Sequence, residues 1–293
     1  MLVVSPFSAG NASDIVARLV LDQVSQHLGQ PFVIENRAGA GGVLGVASVA
    51  RADADGYTLL LGSSSISASV ILHSSLPYDP LRDLTPVVMF GAQPSVLVTS
   101  PAKGYKTVAD LIAAAKARPG ELNFASAGIG SASHIAGEKL RLAAGINVQH
   151  VPYRGPSEAF TDVLAGRIDY YFLPISPALP LIAQGKVVPL AVSTPQRLPL
   201  LPDVPSIVEA GYPQATYLFW SGIMMPAKTP RDVVSKLHNE VQTALDNPAI
   251  ADKLRHLGVQ PMPMTADEFQ KFFAADVAAT IKLGEAAKIA PTD

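Results

Sequence analysis

The same local pattern occurs twice in this chain of 293 residues: a short strand, a loop rich in Gly and Ser, and an amphipathic helix. In the first copy a strand at 2–4 leads through loop 5–14 into a helix from about Ile15. In the second copy a strand at 123–126 leads through loop 127–133 into a helix that runs through Leu140. The first N–H groups of a helix lack backbone partners and carry partial positive charge, and glycine lets a ligand approach them. Two such loops predict an anion held between two halves of the protein.

The composition indicates a well-ordered globular protein. Hydrophobic residues make up 48% of the chain and charged residues only 16%, which supports a sizeable core and argues against disorder. The net charge is −2 and no Lys/Arg cluster forms a basic stripe, so we expect no nucleic-acid partner. The absence of Cys excludes disulfides, thiolate metal sites and cysteine nucleophiles. The six His residues have no metal-ligand spacing, and we expect neither a metal nor a cofactor.

The sequence is compatible with more than one cellular compartment. No apolar run is long enough to span a membrane, and the first strand begins at Leu2 without a leader pattern before it. The protein is therefore expected to be cytoplasmic, or to have lost a signal peptide.

The order of predicted elements indicates an α/β fold with two lobes. Strands at 2–4, 31–35 and 57–61 alternate with helices, which is typical of a parallel sheet flanked by helices. A second series has strands at 96–98, 123–126, 149–151, 168–172 and 188–193. After an aromatic extended segment at 217–223 only helices follow. We expect residues 1–98 with 221–293 to form lobe 1 and residues 99–220 to form lobe 2, each with a mainly parallel sheet, joined by two hinge crossings.

An ordered series of segments resembles the Bug family, the TctC-type solute receptors of tripartite tricarboxylate transporters. The series covers nearly the whole chain: PFSAGNASDIVAR at 6–18, ENRAGAGG at 35–42, DGYTLL at 55–60, LPYDP at 76–80, SAGIGS at 126–131, HVPYRG at 150–155 and LPDVP at 201–205. The resemblance implies a periplasmic binding protein with a Venus-flytrap fold, a small organic carboxylate ligand, transporter permease subunits as partners and no catalytic activity. We expect a monomer.

The resemblance also implies which residues contact the ligand. Main-chain amides of the first loop and of the mid-chain loop hold carboxylates in this family, and the loop after the third strand faces the same cleft. The expected ligand-binding residues are Phe7, Ser8, Ala9, Gly10, Asn11, Ala12 and Ser13; Ser63, Ser64 and Ser65; Ser126, Ala127, Gly128, Ile129, Gly130 and Ser131; and His134, Tyr153 and Leu173.

Two departures from the family pattern bear on the ligand. Asn11 and Ala12 replace glycines in the first loop, so their Cβ atoms narrow the approach and Asn11 offers an amide side chain. After the strand at 168–172 the family often has an acidic residue, but this chain has Leu173. Leu173 cannot pair with an ammonium group, so we expect an aliphatic or aromatic acid rather than an amino acid.

Several assignments stay open at this point. His134 is either a donor to a ligand carboxylate or a surface histidine, and Arg154 is either a carboxylate clamp or a rim residue. Tyr153 is a better contact candidate than Arg154, through its hydroxyl or its ring. An enzyme such as a hydrolase or transferase could use the same cleft, but the chain offers no convergent nucleophile, base and orienting group. A cytoplasmic ligand-sensing regulator would need a further module, for which no residues remain.

Overall fold

The computed structural model describes residues 1–153 and 155–291 and divides the chain into two compact units. Unit 1 comprises Met1–Ala92 and Trp220–Asp293, and unit 2 comprises Gln93–Phe219. The chain therefore passes from one unit to the other twice, after Ala92 and after Phe219.

The regular elements alternate through most of the chain. The strands are β1 Leu2–Ser5, β2 Val33–Asn36, β3 Thr58–Ser63, β4 Leu84–Gln93, β5 Ser95–Thr99, β6 Asn123–Ser126, β7 Gln149–Pro152, β8 Tyr170–Pro174, β9 Val188–Val192 and β10 Phe219–Pro226. The helices are α1 Ala12–Leu28, α2 Val43–Ala50, α3 Ser65–Leu72, α4 Pro80–Asp83, α5 Val108–Ala117, α6 Ala132–Ala144, α7 Pro156–Leu164, α8 Ile175–Ala183, α9 Arg231–Leu245, α10 Pro248–His256 and α11 Ala266–Ala287.

The sheet of unit 1 has the strand order β2-β1-β3-β10-β4. Strand β1 pairs in parallel with β2 and β3, and Val4 lies opposite Glu35 on one side and Leu60 on the other. Strand β10 returns from unit 2 and pairs antiparallel with β3. Apolar side chains of β1, β3, β4 and β10 pack against α1, α9 and α10 in one core. The continuous buried run of β3 is typical of a strand that is covered on both faces.

The sheet of unit 2 has the strand order β7-β6-β8-β5-β9. Strand β6 pairs in parallel with β7 and β8, whereas β5 pairs antiparallel with β8 and β9. One core cluster lies between this sheet and helices α5 and α6, and a second lies against α7 and α8. Both faces of the sheet are therefore covered.

The architecture agrees with the predicted α/β class, and three details differ from the sequence prediction. Each sheet is mixed, because three parallel strands on one side are followed by an antiparallel strand, β10 in unit 1 and β5 in unit 2. Strand β4 and helix α3 were not predicted. Unit 1 ends at Ala92 rather than at residue 98, because β5 belongs by its pairing to the sheet of unit 2.

Within residues 1–153 and 155–291 no helix is long and apolar enough to cross a membrane.

Tyr170 in β8 carries a hydroxyl group that is buried without a hydrogen-bond partner among the described residues. Burial raises the pKa of this phenol, so the group stays neutral. An unpaired buried hydroxyl costs about 1–3 kcal/mol relative to its hydrated state. Tyr170→Phe is therefore expected to leave the free energy of unfolding unchanged or to raise it by up to about 1 kcal/mol.

Urea denaturation of wild type and Tyr170→Phe measures this directly. Tyr171→Phe is the matched control, since the Tyr171 hydroxyl bonds to Ser133 and its loss should destabilise the protein. A clear loss of stability in Tyr170→Phe would show that its hydroxyl has a partner in solution.

Candidate functional site

The two Gly/Ser loops occupy equivalent places in the two sheets. In unit 1 the strand that follows β1 along the chain is β2, on one side of it, whereas the strand that follows β3 is β4, on the other side. The connections that leave the neighbouring strands β1 and β3 therefore run in opposite directions. In unit 2 the connections that leave the neighbouring strands β6 and β8 also run in opposite directions, from β6 to β7 and from β8 to β9. Ligands of open α/β sheets bind beyond the carboxyl ends of strands where the strand order reverses. Loop 6–11 follows β1 and loop 127–131 follows β6, so each lies at such a switch point.

The first loop is closed by reciprocal bonds across the start of α1. Asn11 is the N-cap, and its side-chain oxygen accepts from the Asp14 N–H at 3.1 Å. The Asp14 carboxylate in turn accepts from the Gly10 N–H at 3.0 Å. Gly10 has φ +79°, a conformation that favours glycine. The Asn11 amide also donates to the Ser8 carbonyl at 2.7 Å, so it braces the loop.

Asp14 is the centre of a buried polar cluster beneath this loop. Its side chain is 1% exposed and pairs with Arg18, with Nε at 2.9 Å and the second bond at 3.2 Å. Asn36 donates to Asp14 at 3.1 Å and to the Phe7 carbonyl at 2.9 Å, which ties β2 to the loop. Burial alone would raise the pKa of Asp14, but the bonds from Arg18, Gly10 and Asn36 outweigh it and lower the pKa. Asp14 therefore stays ionised with its charge compensated.

The mid-chain loop repeats this arrangement at the start of α6. Ser131 is the N-cap, and its hydroxyl oxygen accepts from the His134 N–H at 3.3 Å. The Nδ1 atom of His134 accepts from the Gly130 N–H at 3.1 Å. Gly130 has φ +79°, the same value as Gly10 in the first loop. Both loops therefore place a glycine before the N-cap and an acceptor side chain at the third helical position.

Most amides of the mid-chain loop already have partners within the loop. The Ala127 N–H donates to the Ser133 hydroxyl at 3.0 Å and the Gly128 N–H to the Ser126 hydroxyl at 3.2 Å. The Ser131 N–H donates to the Gly128 carbonyl at 3.1 Å. The N–H groups of the first two helical positions have no intrahelical acceptor. These are Ala132 and Ser133 in α6, and Ala12 and Ser13 in α1. These four amides are among the donors open to an anion, and those of the exposed Ala12 and the half-buried Ala132 are more accessible than those of the buried Ser13 and Ser133.

Two stacked histidine rings, His134 and His150, are hydrogen-bonded to the mid-chain loop. His134 is only 4% exposed and stacks on His150 of β7 with ring centroids 4.1 Å apart. His150 in turn stacks on Phe124 at 4.8 Å, and its Nε2 atom lies 2.6 Å from the Ser126 hydroxyl. Burial, together with His150 and Arg141, lowers the pKa of His134 to about 3. Burial lowers the pKa of His150 to about 4, so both rings are neutral at pH 7.

The loop after β3 is tied to the C-terminal part of unit 1. The Ser63 and Ser65 hydroxyls lie 2.7 Å apart, and the Ser64 N–H donates to the Trp220 carbonyl at 3.2 Å. Asp276 of α11 accepts from the Ser67 hydroxyl at 2.6 Å and from the Trp220 indole at 3.0 Å. This loop is therefore fixed to both β10 and α11.

Two further residues expected at the site, Tyr153 and Leu173, have defined surroundings. Tyr153 donates its hydroxyl to Asp162 at 2.6 Å, and burial together with this bond raises the pKa of Tyr153 to about 12. Leu173 lies inside β8 rather than after it and is 2% exposed, packed in the core against the pairing strand β5. An influence of Leu173 on ligand choice would therefore act through packing. Arg154 lies outside the described residues.

Sequence reasoning missed the residues that hold the loops in shape. These are Asp14, Asn36, Ser133 and His150, whose side chains are hydrogen-bonded to the loops. An acidic residue at the third helical position is a recognisable capping signal, and it could have identified Asp14. His150 could not be found this way, because its contact with Ser126 depends on strand pairing.

Comparison with known proteins gives a family for this arrangement. The family model described as the tripartite tricarboxylate transporter family receptor, TctC, matches residues 16–288. The chain belongs to this TctC receptor family. Protein BugT of Bordetella pertussis is 36% identical over 277 residues, which is 94% of this chain and 85% of BugT. The TctC family comprises transport receptors rather than enzymes.

Solved structures of TctC-type proteins agree with the fold. Rpa4515 of R. palustris with adipate has a TM-score of 0.86 and 34% identity, covering 99% of this chain and 98% of that chain. MatC from Rhodopseudomonas palustris with bound malate has a TM-score of 0.82 and 32% identity, covering 97% and 98%. The periplasmic binding protein BugD has a TM-score of 0.83 and 30% identity, covering 100% and 98%. In the described part of this TctC chain, no three His, Asp or Glu residues are grouped to hold a metal ion.

Proposed function

We propose that this TctC-family protein is a periplasmic solute receptor that binds a small organic carboxylate and delivers it to the permease subunits of a tripartite tricarboxylate-type transporter. The observation that carries the proposal is the repeated geometry of the two loops. Each presents the unpaired first amides of a long helix, α1 or α6, at a switch point of its sheet.

The charge distribution suits one or two carboxylates rather than a more highly charged anion. Loop 5–13 and loop 126–133 contain no Lys or Arg. Arg18, the cation bonded beneath the first loop, is paired with Asp14. Backbone amides and helix dipoles can stabilise a single negative charge at each loop without a formal counter-ion. A tricarboxylate or a phosphate ester would bring more charge than these donors compensate.

The side chains at the loops favour a ligand with an apolar middle. Ile129 lies between two glycines of the mid-chain loop and is 48% exposed, so its side chain is available to an aliphatic chain. Related proteins of solved structure hold adipate and malate, which makes these acids the first probes. We propose an aliphatic dicarboxylate, with an aromatic acid as the next class to be tried.

The test is isothermal titration of the protein with adipate, malate, monomethyl adipate and dimethyl adipate. Each esterified carboxylate should weaken binding roughly 10- to 100-fold, since a hydrogen bond to a charged group contributes about 1.5–3 kcal/mol. Adipate and dimethyl adipate binding with equal affinity would refute a carboxylate site. The monomethyl ester shows whether one carboxylate is sufficient.

That one ligand engages both loops stays a prediction, and variants of the two helix starts test it. Ala12→Pro and Ala132→Pro each remove one of the proposed donors, since proline has no N–H and is favoured at the first position of a helix. If both loops bind the ligand, each variant weakens adipate or malate binding. Ala266→Pro at the corresponding first position of α11 is the matched control and should bind as wild type does. Loss of affinity in only one of the two loop variants would confine the ligand to that unit.

A further inference from the structure

We propose that His134 is a positioning residue of the ligand site, which acts as a neutral hydrogen-bond acceptor that fixes the mid-chain loop and does not itself bind the carboxylate. The inference rests on the proposed function, because that function makes the mid-chain loop part of a ligand site. It replaces the two alternatives considered from the sequence, a hydrogen-bond donor to the ligand carboxylate and a surface histidine, since His134 is 4% exposed.

The first argument is the geometry of the ring. His134 Nδ1 accepts from the Gly130 N–H, so this nitrogen carries no proton and cannot donate. The ring is 4% exposed and is stacked on His150. Its position is therefore set by the helix and by β7. The bond occupies the Gly130 amide, whereas the first helical amides, Ala132 and Ser133, have no intrahelical acceptor.

The second argument is the matching device in unit 1. Asp14 occupies the same third helical position as His134 and accepts from the N–H of a glycine four residues earlier, as His134 does. The two glycines share φ +79°, and both N-caps are extended and accept from the third helical amide. A carboxylate and an imidazole therefore accept the same hydrogen bond in the two loops. Because an acceptor atom at the third helical position is what they have in common, we infer that the loop requires this acceptor.

The third argument explains why unit 2 uses a neutral group. The charge of Asp14 is compensated by Arg18 and by the Asn36 amide. The His134 ring stacks on His150, which in turn stacks on Phe124, and Arg141 lies further along α6, where it is bonded to the buried Glu138 at 2.7 Å. Among the described residues the position that corresponds to Arg18 is Glu138, so a carboxylate at position 134 would have no such cation there and would repel a bound anion. A neutral acceptor avoids this repulsion.

Three substitutions separate these properties. His134→Asn keeps a short neutral acceptor, His134→Asp keeps the acceptor but adds charge, and His134→Leu removes the acceptor. With adipate and malate as probes, we expect Asn to bind within about threefold of wild type, and Asp and Leu to lose about tenfold or more. His27→Leu on the exposed face of α1 is the matched control and should bind as wild type does. Equal losses in Asn and Leu, or equal affinities in all three, would overturn the proposal.

A measurement without any ligand keeps the inference separate from the proposed function. The N–H···N bond between Gly130 and His134 should give a through-bond nitrogen–nitrogen coupling in NMR spectra of the ligand-free protein, with the His134 proton on Nε2. Absence of the coupling, or a proton on Nδ1, would overturn the role of His134 whatever the protein binds. Failure of wild type to bind either acid while the coupling is present would count against the proposed ligand class instead.

Discussion

Asp14→Ala is expected to lower the free energy of unfolding by about 2–4 kcal/mol and to weaken carboxylate binding by at least about tenfold. Asp14 accepts bonds from Gly10, Arg18 and Asn36 with a side chain that is 1% exposed. Removing it leaves the Gly10 N–H and one N–H of the Asn36 amide without an acceptor and removes the carboxylate that links the loop to Arg18 of α1. Urea denaturation and titration with adipate measure the two effects.

Asp22→Ala is the matched control for this substitution. Asp22 lies on the same helix, carries the same charge and is exposed, with a single bond from Gln26 at 3.3 Å. It should change the free energy of unfolding by less than about 0.5 kcal/mol and should not change affinity. If Asp14→Ala behaves like Asp22→Ala, the buried cluster does not organise the first loop.

The parts of the fold that sequence could predict are those set by local pattern. The strand, Gly-rich loop and helix of each half follow from apolar runs and from N-cap residues, and the parallel pairing of β1 with β2 and β3 follows from alternation with helices. The helix stop at Gly29 is a left-handed C-cap with φ 62°, which a glycine at that position predicts. These signals lie within a few residues of the structure that they specify.

The parts that sequence could not predict depend on contacts distant along the chain. Strand β4 is a buried run at the edge of the first sheet, and no local signal assigns it to a partner. Leu173 was expected to follow the strand and contact the ligand, but β8 extends to Pro174 and pairing with β5 buries it. Likewise, which loop amides stay free depends on Asp14, His134 and Ser133 turning back to accept from them. The loops were therefore predicted correctly as elements, while their available donors were not predictable.

Acidification is expected to destabilise the protein through His134 and His150. The pKa of His134 is about 3 in the folded protein, lowered first by burial and then by His150 and Arg141, whereas an unfolded histidine has a pKa of about 6.5. Between these values the unfolded chain binds a proton that the folded chain does not, so stability falls as the pH is lowered from about 6.5 toward 3. By pH 4 this costs about 3 kcal/mol at His134. His150, with a pKa of about 4, adds a loss over the upper part of the same range.

His134→Asn isolates this contribution from the titration of carboxylates elsewhere. Asparagine retains the acceptor for Gly130 but takes up no proton, so the variant should lose less stability than wild type between pH 7 and pH 4, by about 3 kcal/mol. Urea denaturation at several pH values gives both curves, and the difference between them should develop below about pH 6.5. His238→Asn is a useful comparison, because His238 also bonds to the backbone, at the Val87 carbonyl, but outside the stacked pair. Parallel curves for wild type and His134→Asn would mean that the His134 ring accepts a proton in the folded state, and the loop would then have to be held by something other than a neutral acceptor.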